Sequence, residues 1–318
     1  MTATKLKSIA RSVLLWALAL GALVFLFRRV PFSQLAGAWS RFHLLWFLGP
    51  TLSFYLILFF LDSYAHFWLV GRFTLHLPYL EVLRARGASF LLSGLGLFYG
   101  QGSMAYILSK KSGRSLAEMA GILSFLAFNT FHALLILPTF ALFFFLHQEF
   151  AQTREFHYLA LFAALAWPLF ALSLFFWITG RPQFLRRRLK ASLFTAFDQA
   201  KLRDYAWIIC LRLAQSLLWI AFTALALRSL DLHLPAASLL LKLPLVLLIG
   251  VIPTPGRLGT TQSAWVLLFS SQAPASDLFL FSLAWTLSLN LLRWLTGLLF
   301  LSHFSSAPST SVKSAIKP

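Results

Sequence analysis

The sequence predicts an all-α polytopic membrane protein. Of its 318 residues, 59% are hydrophobic and only 11% are charged, which is too apolar a balance for a soluble domain. Several apolar runs reach the roughly 20 residues that a helix needs to cross a bilayer. Lys and Arg collect between these runs, as in loops that face an anionic cytoplasmic leaflet. We therefore expect about six full transmembrane helices and two re-entrant or broken helical hairpins.

The formal net charge of +18 follows the same pattern. In a soluble protein it would suggest nucleic acid, but here the positive-inside distribution of loops accounts for it, and we expect no nucleic-acid partner. The single cysteine, Cys210, lies inside an apolar run, which excludes a disulfide framework and a paired-thiol metal site. No metal site and no cofactor are predicted.

The first two predicted spans are Val13 to Phe27 and Leu44 to Val70. No small-residue cleavage site follows the first run, so we interpret it as a retained span and not as a removed signal peptide. Three arginines after the second span, Arg72, Arg84 and Arg86, mark a cytoplasmic loop.

The first broken hairpin is predicted over residues 87–108. Its five glycines, at positions 87, 94, 96, 100 and 102, lower helix propensity by about 1 kcal/mol each relative to alanine. The basic stretch Ser109 to Ser115 follows, on the same predicted side as the preceding arginines. A segment that enters and leaves on one side is a re-entrant hairpin.

The middle and the end of the chain supply four more spans and the clearest topological signal. The predicted spans are Leu116 to Leu146, Tyr158 to Ile178, Trp207 to Leu227 and Leu278 to Phe300. Between the second and third of these lies a basic cytoplasmic loop, 181–203, with seven basic residues and one acid. We treat 1–304 as a single integral membrane domain and 305–318 as a flexible tail.

The second broken hairpin is predicted over residues 236–270. Two prolines and two glycines fall between Pro253 and Gly259, and both residue types interrupt a helix. Broken backbone at membrane depth is tolerated only where it is buried in protein or lines a cavity. This interruption is therefore a candidate site.

The number of spans is consistent with cytoplasmic N- and C-termini in a plasma membrane, here a bacterial inner membrane. The first hairpin then opens from the cytoplasm and the second from the outside, as an inverted repeat would produce. An arrangement in which each hairpin is two crossing helices preserves the same parity.

Two motifs resemble signatures of a known family. Gly100 to Ser115 (GQGSMAYILSKKSGRS) and Ile252 to Gln262 (IPTPGRLGTTQ) are similar to the two signatures of the lysylphosphatidylglycerol synthase transmembrane family, which is flippase-like. The family pattern has Glu at the positions of Gln101 and Gln262, and glycine at that of Arg257. Amides keep hydrogen-bonding capacity but carry neither a proton nor a full charge.

The resemblance implies movement of a polar-headed phospholipid or polyprenyl-phosphate-type lipid between leaflets. A phosphate headgroup needs a polar, electropositive cavity, and guanidinium groups match phosphate geometry. The candidate residues for this lipid-headgroup cavity are Gly100, Gln101, Tyr106, Pro253, Pro255, Gly256, Arg257, Gly259, Gln262, Asn290 and Arg293.

Several of these residues also have a structural interpretation. Arg257 serves equally well as an interface anchor, and the two glutamines serve as contacts between helices. Arg212 is a further candidate for the headgroup, with Gln215 as a neutral partner, but it lies two to three turns from Arg203. We therefore favour an interpretation in which its head extends to the interface. Arg293 lies deeper in its run, which favours a functional role.

Asp62 and His66 are four residues apart and share one helical face. This spacing suits a proton relay or a two-ligand metal site, but no further ligand is apparent nearby. We favour a hydrogen-bonded pair close to the interface.

Two other function classes remain open at this stage. One is a membrane-embedded lipid-modifying enzyme, although the chain has only nine acidic residues and no segment for a soluble transfer domain. We therefore expect no enzymatic activity. The other is a structural or partner-binding membrane protein, as a homo-oligomer or with a lipid-synthesis enzyme. The expected partners are anionic or phosphate-bearing membrane lipids.

Overall fold

The computed structural model describes residues 32–74, 77–93, 97–144, 154–179, 192–250 and 259–304. Within these ranges the chain forms eleven α-helices and no strand. They are α1 (Phe32–Ser40), α2 (Leu44–Phe73), α3 (Tyr79–Ser93), α4 (Leu97–Ser112), α5 (Leu116–Phe144), α6 (Arg154–Thr179), α7 (Thr195–Gln199), α8 (Leu202–Leu227), α9 (Ala236–Ile249), α10 (Thr260–Phe269) and α11 (Ala275–Leu299).

Four helices, α2, α5, α8 and α11, are long and apolar enough to cross a membrane. This confirms the predicted class, a polytopic all-helical membrane protein. In α6 the apolar part covers residues 163–179. The predicted first span, the tail 305–318 and residues 181–191 of the basic loop lie outside the described residues.

The two predicted hairpins appear as two pairs of short helices. Helices α3 and α4 pack together on either side of residues 94–96, and α9 and α10 pack together on either side of residues 251–258. The four helices contain 15, 16, 14 and 10 residues, fewer than the roughly 20 that a bilayer requires. These lengths favour helices that end inside the bundle over helices that cross it.

The first hairpin begins earlier than the glycine pattern suggests, at Tyr79 and not near residue 87. Gly87 lies within α3, where a Cβ atom would collide with the ring of Phe300. Gly100 lies within α4, where a Cβ atom would meet the Cβ of Ser93 at 2.8 Å. These two glycines therefore allow close packing of helices, while Gly94 and Gly96 lie between α3 and α4.

The connection between α4 and α5 shows how the local sequence ends one helix and starts another. Gly113 has φ +70°, and its N–H donates to the carbonyl of Ser109 at 3.0 Å, as glycine does after a helix C-terminus. Two residues later, the Ser115 hydroxyl accepts the Glu118 N–H at 3.2 Å. Ser115 thus satisfies a backbone donor at the start of α5.

Helices α2 and α8 run antiparallel through the middle of the bundle. At one end Arg72 pairs with Asp204 at 2.9 Å. At the other end the His43 N–H donates to the carbonyl of Ser229 at 2.8 Å. The first hairpin follows the C-terminal end of α2 and the second follows that of α8, so their bases lie at opposite ends of this pair.

The bundle has a two-fold contact pattern. One unit is α2 to α5 and the other is α8 to α11, each consisting of a long helix, a hairpin and a second long helix. Within each unit the consecutive helices touch, and between units α11 packs on α3 as α5 packs on α9. If each helix is replaced by its counterpart in the other unit, the α5–α8 contact becomes the α11–α2 contact, and both contacts are present. With α2 and α8 antiparallel, this pattern is that of an inverted repeat.

Candidate functional site

A cavity of about 240 Å³ is lined by residues of both hairpins. Ser93, Gly100 and Gln101 contribute from either side of the first interruption, and Leu247 contributes from just before the second. Arg86 and Phe90 of α3 also line it, and the long helices α2, α5, α8 and α11 supply the rest of the described wall. Its charged and amide side chains are Asp62, Arg86, Gln101, Arg212, Gln215 and Arg293.

Asp62 holds two of the cavity's three arginines. Its Oδ2 accepts from Arg86 Nε at 2.6 Å and its Oδ1 accepts from Arg212 Nη1 at 2.7 Å. Asp62 is 8% exposed and Arg212 is 9% exposed. With three guanidinium groups against one carboxylate among the described lining residues, the cavity has a formal charge of +2.

Several polar atoms of the cavity have no hydrogen-bond partner among the described residues. Gln215 accepts from Arg212 through Oε1 at 2.5 Å, which leaves Gln215 Nε2 as an open donor. Arg212 Nε is a second open donor, and Gln101 Oε1 is an open acceptor. Buried polar groups are normally paired, so open ones in a cavity are candidate ligand contacts.

His66 lies beside this cluster and is fully buried. Its Nδ1 is 2.7 Å from the backbone carbonyl of Asp62 and 3.7 Å from the Asp62 carboxylate. Because a carbonyl oxygen only accepts, Nδ1 carries the proton in this bond. The predicted hydrogen bond between Asp62 and His66 is therefore present, but His66 donates to the backbone carbonyl of Asp62. The Asp62 carboxylate accepts from the two arginines instead.

Arg293 lines a second, smaller cavity as well. This cavity, of about 40 Å³, lies between α8, α9, α10 and α11. Its lining includes Gly250 and Thr261, which are close in sequence to the second interruption. Asn290 also lines it and accepts from Arg293 Nη1 at 3.3 Å. Trp219, Leu247 and Leu289 line both cavities, so the two are neighbours.

The structure brings some of the predicted site residues together. Gly100, Gln101 and Arg293 line the larger cavity, and Asn290 lines the smaller one. Tyr106 is 43% exposed and lines neither. Pro253, Pro255, Gly256 and Arg257 lie outside the described residues.

Gln262 and Gly259 have a local structural role at the start of α10. The Gly259 N–H donates to Gln262 Oε1 at 2.7 Å, and Gly259 has φ +87°, which favours glycine. Gln262 Nε2 donates to Thr286 Oγ1 of α11 at 3.3 Å. Gln262 is 1% exposed and lines neither cavity.

Sequence reasoning named Arg212 and Gln215 as candidates but misjudged the central part of the site. Arg212 was expected to reach the interface, which is wrong: its head is buried on Asp62. Arg86 was assigned to a cytoplasmic loop, but it lies in α3 and binds the same carboxylate. The available signal was Asp62 itself, an acid well inside an apolar span that needs a buried partner.

The described residues contain no group of three or more His, Cys, Asp or Glu side chains arranged to hold a metal ion. The arrangement instead combines donors that suit an anion. Guanidinium groups from three helices, with an open Arg212 Nε and an open Gln215 amide, match the oxygens of a phosphate.

Residues 9–297 match the family model described as the lysylphosphatidylglycerol synthase TM region. Neither curated proteins nor solved structures yielded a match to this chain.

Proposed function

Because the chain belongs to the lysylphosphatidylglycerol synthase transmembrane family, we propose that it binds a phosphate-bearing lipid headgroup in the larger cavity and moves that lipid between leaflets. It is a multi-pass membrane protein by its spanning helices. The observation that carries the proposal is the position of three arginines in a cavity between two hairpins whose bases lie at opposite ends of the bundle.

The chemistry of the cavity supports an anionic ligand. A buried guanidinium is costly in a membrane unless it is paired, and Asp62 pairs two of the three. An anionic phosphate that enters reduces the excess charge of +2 on the described lining residues. Charge-assisted hydrogen bonds to phosphate oxygens are about twice as strong as neutral ones.

The position of the cavity supports movement and not only binding. The first hairpin extends antiparallel to α2 as far as Tyr55 and Phe59, whose rings contact Phe90 at 6.3 and 5.7 Å. At 1.5 Å per residue along α2, Tyr55 lies about 27 Å and Phe59 about 21 Å from Phe73, and Asp62 lies about 16 Å from it. A headgroup bound at the arginines on Asp62 is therefore well removed from the end of α2 at which the hairpin begins.

The test is a leaflet-resolved assay in reconstituted vesicles with tail-labelled fluorescent phosphatidylglycerol and an impermeant quencher. We expect the wild-type protein to move the probe, and Arg293→Gln to slow it by about 10- to 100-fold, since a hydrogen bond to a charged group contributes about 1.5–3 kcal/mol. Arg228→Gln is the matched control, because Arg228 is exposed and lies outside the cavity.

Equal rates for the wild type, Arg293→Gln and protein-free vesicles would refute the proposal. Appearance of a chemically altered lipid would favour a lipid-modifying enzyme instead. We place the protein in the bacterial inner membrane as part of the same proposal.

A further inference from the structure

The larger cavity contains one side-chain oxygen that has no hydrogen-bond partner among the described residues, and this oxygen is neutral. Gln101 lines the cavity, and its Oε1 has no partner among the described residues. The carboxamide oxygen of Gln101, in the orientation that the structure gives it, accepts hydrogen bonds and carries no full charge. The open donors, Arg212 Nε and Gln215 Nε2, suit phosphate oxygens, so Gln101 is left to meet a different part of the headgroup.

The only carboxylate among the described lining residues cannot serve a cationic headgroup without losing its present partners. Each oxygen of Asp62 already accepts from an arginine, at 2.6 Å from Arg86 and at 2.7 Å from Arg212. An ammonium group in this cavity would face three guanidinium groups and an engaged carboxylate. Like charges brought together in a poorly hydrated site repel each other strongly.

A hydroxyl group fits the same position without this penalty. It donates to a carbonyl such as that of Gln101, and it carries no charge. A site that hydrogen-bonds a ligand hydroxyl also discriminates against analogues that lack it, because its own polar atom is then left unpaired. The cavity thus holds donors for a phosphate and one neutral acceptor beside them.

We propose that this cavity selects lipids whose headgroup joins a phosphate to a hydroxyl-bearing group, and that it rejects headgroups that carry an ammonium. The inference rests on the proposed function and names the class of lipid. Gln101 acts as the specificity-determining residue, because a neutral amide there accepts a hydroxyl and adds no negative charge that could attract a cation.

The test compares three tail-labelled probes in the same vesicle assay. Phosphatidylglycerol has hydroxyls and one negative charge, phosphatidylmethanol has the charge without a hydroxyl, and phosphatidylethanolamine has an ammonium. We expect wild-type protein to move phosphatidylglycerol at least about tenfold faster than phosphatidylethanolamine. Phosphatidylmethanol should be about three- to tenfold slower than phosphatidylglycerol, the effect of one hydrogen bond.

Two substitutions sharpen the comparison. Gln101→Glu should slow phosphatidylglycerol, accelerate phosphatidylethanolamine and reduce their ratio by about tenfold or more. Gln101→Leu should remove the advantage of phosphatidylglycerol over phosphatidylmethanol. Gln199→Glu is the matched control. Gln199 is exposed at the end of α7, so a glutamate there adds the same charge away from the cavity.

The relative rates of the three probes with wild-type protein test the selectivity even where a variant does not fold. Movement of phosphatidylethanolamine as fast as phosphatidylglycerol would overturn the selectivity and leave the proposed transport intact. No movement of any of the three probes would overturn both proposals.

Discussion

Asp62 of α2 and Arg212 of α8 form a buried ion pair at 2.7 Å, although 150 residues separate them in the chain. The pair joins the first helices of the two repeated units between their contacts at either end, nearer to the Arg72–Asp204 pair. Arg86 completes the cluster from the first hairpin. One carboxylate therefore links both units and a hairpin at the wall of the cavity.

This cluster should be important for stability. Asp62→Asn leaves two buried guanidinium groups without a counter-charge, which costs about 3–5 kcal/mol when a buried pair is broken. The free energy of unfolding in detergent, from denaturant titration, measures the loss. Adding Arg212→Gln should recover part of it, because one uncompensated charge is removed.

Arg84→Gln provides the control for this stability prediction. Arg84 pairs with Glu81 at 3.2 Å but is 35% exposed, so its removal should cost less than about 1 kcal/mol. A double variant as unstable as the sum of its two single variants would contradict the coupling.

The packing of the first hairpin depends on Gly100. A methyl group at this position would meet the Ser93 Cβ at 2.8 Å and its Cα at 3.1 Å, so Gly100→Ala should destabilise the protein by about 1–3 kcal/mol. A methyl group on Gly102 would meet nothing within 4 Å, and Gly102→Ala should be neutral or stabilising by up to about 1 kcal/mol. Thermal unfolding of the two variants checks the contrast, and similar midpoints would refute it.

Substitution of Gln262 should affect stability and not lipid movement, in contrast to substitution of Gln101. Gln262→Ala removes the bond from the Gly259 N–H and the contact with Thr286, so we expect a stability loss of about 1–3 kcal/mol. Because Gln262 lines neither cavity, the rate of lipid movement per folded molecule should stay within about twofold of wild type. A strong transport defect in stable Gln262→Ala protein would place this residue in the headgroup path.

The base of the first hairpin should respond to pH. The hydrogen bond from Lys111 holds the pKa of Glu81 below its ordinary value of 4.5, despite an opposing effect of burial. A lowered carboxyl pKa in the folded state stabilises the fold above the unfolded-state pKa, and this contribution is lost as the pH falls through the folded-state pKa.

The difference in unfolding free energy between wild type and Glu81→Gln measures this contribution, because the other acids cancel. We expect a constant difference above about pH 4.5 that shrinks at lower pH. A difference that grows on acidification would have the wrong sign for this pair.

The sequence predicted the helical class, because this class depends on local composition. Apolar runs identify spanning helices, and glycine or proline ends them. The same local signals did not identify Gly87 as a packing residue, since that role depends on Phe300, far away in the chain. Gln101 was predicted at the cavity for its place in a motif, and its lack of a partner among the described residues is visible only in the fold.

What the sequence alone determined is therefore the set of elements and the residue types that can bind a phosphate. Only the tertiary structure decided which arginines meet, because Arg86 and Arg212 reach Asp62 from positions 24 and 150 residues away. Burying an arginine in an apolar bundle is favourable only with a counter-charge at hydrogen-bond distance. That distance is a property of how two antiparallel units pack, and no local pattern encodes it.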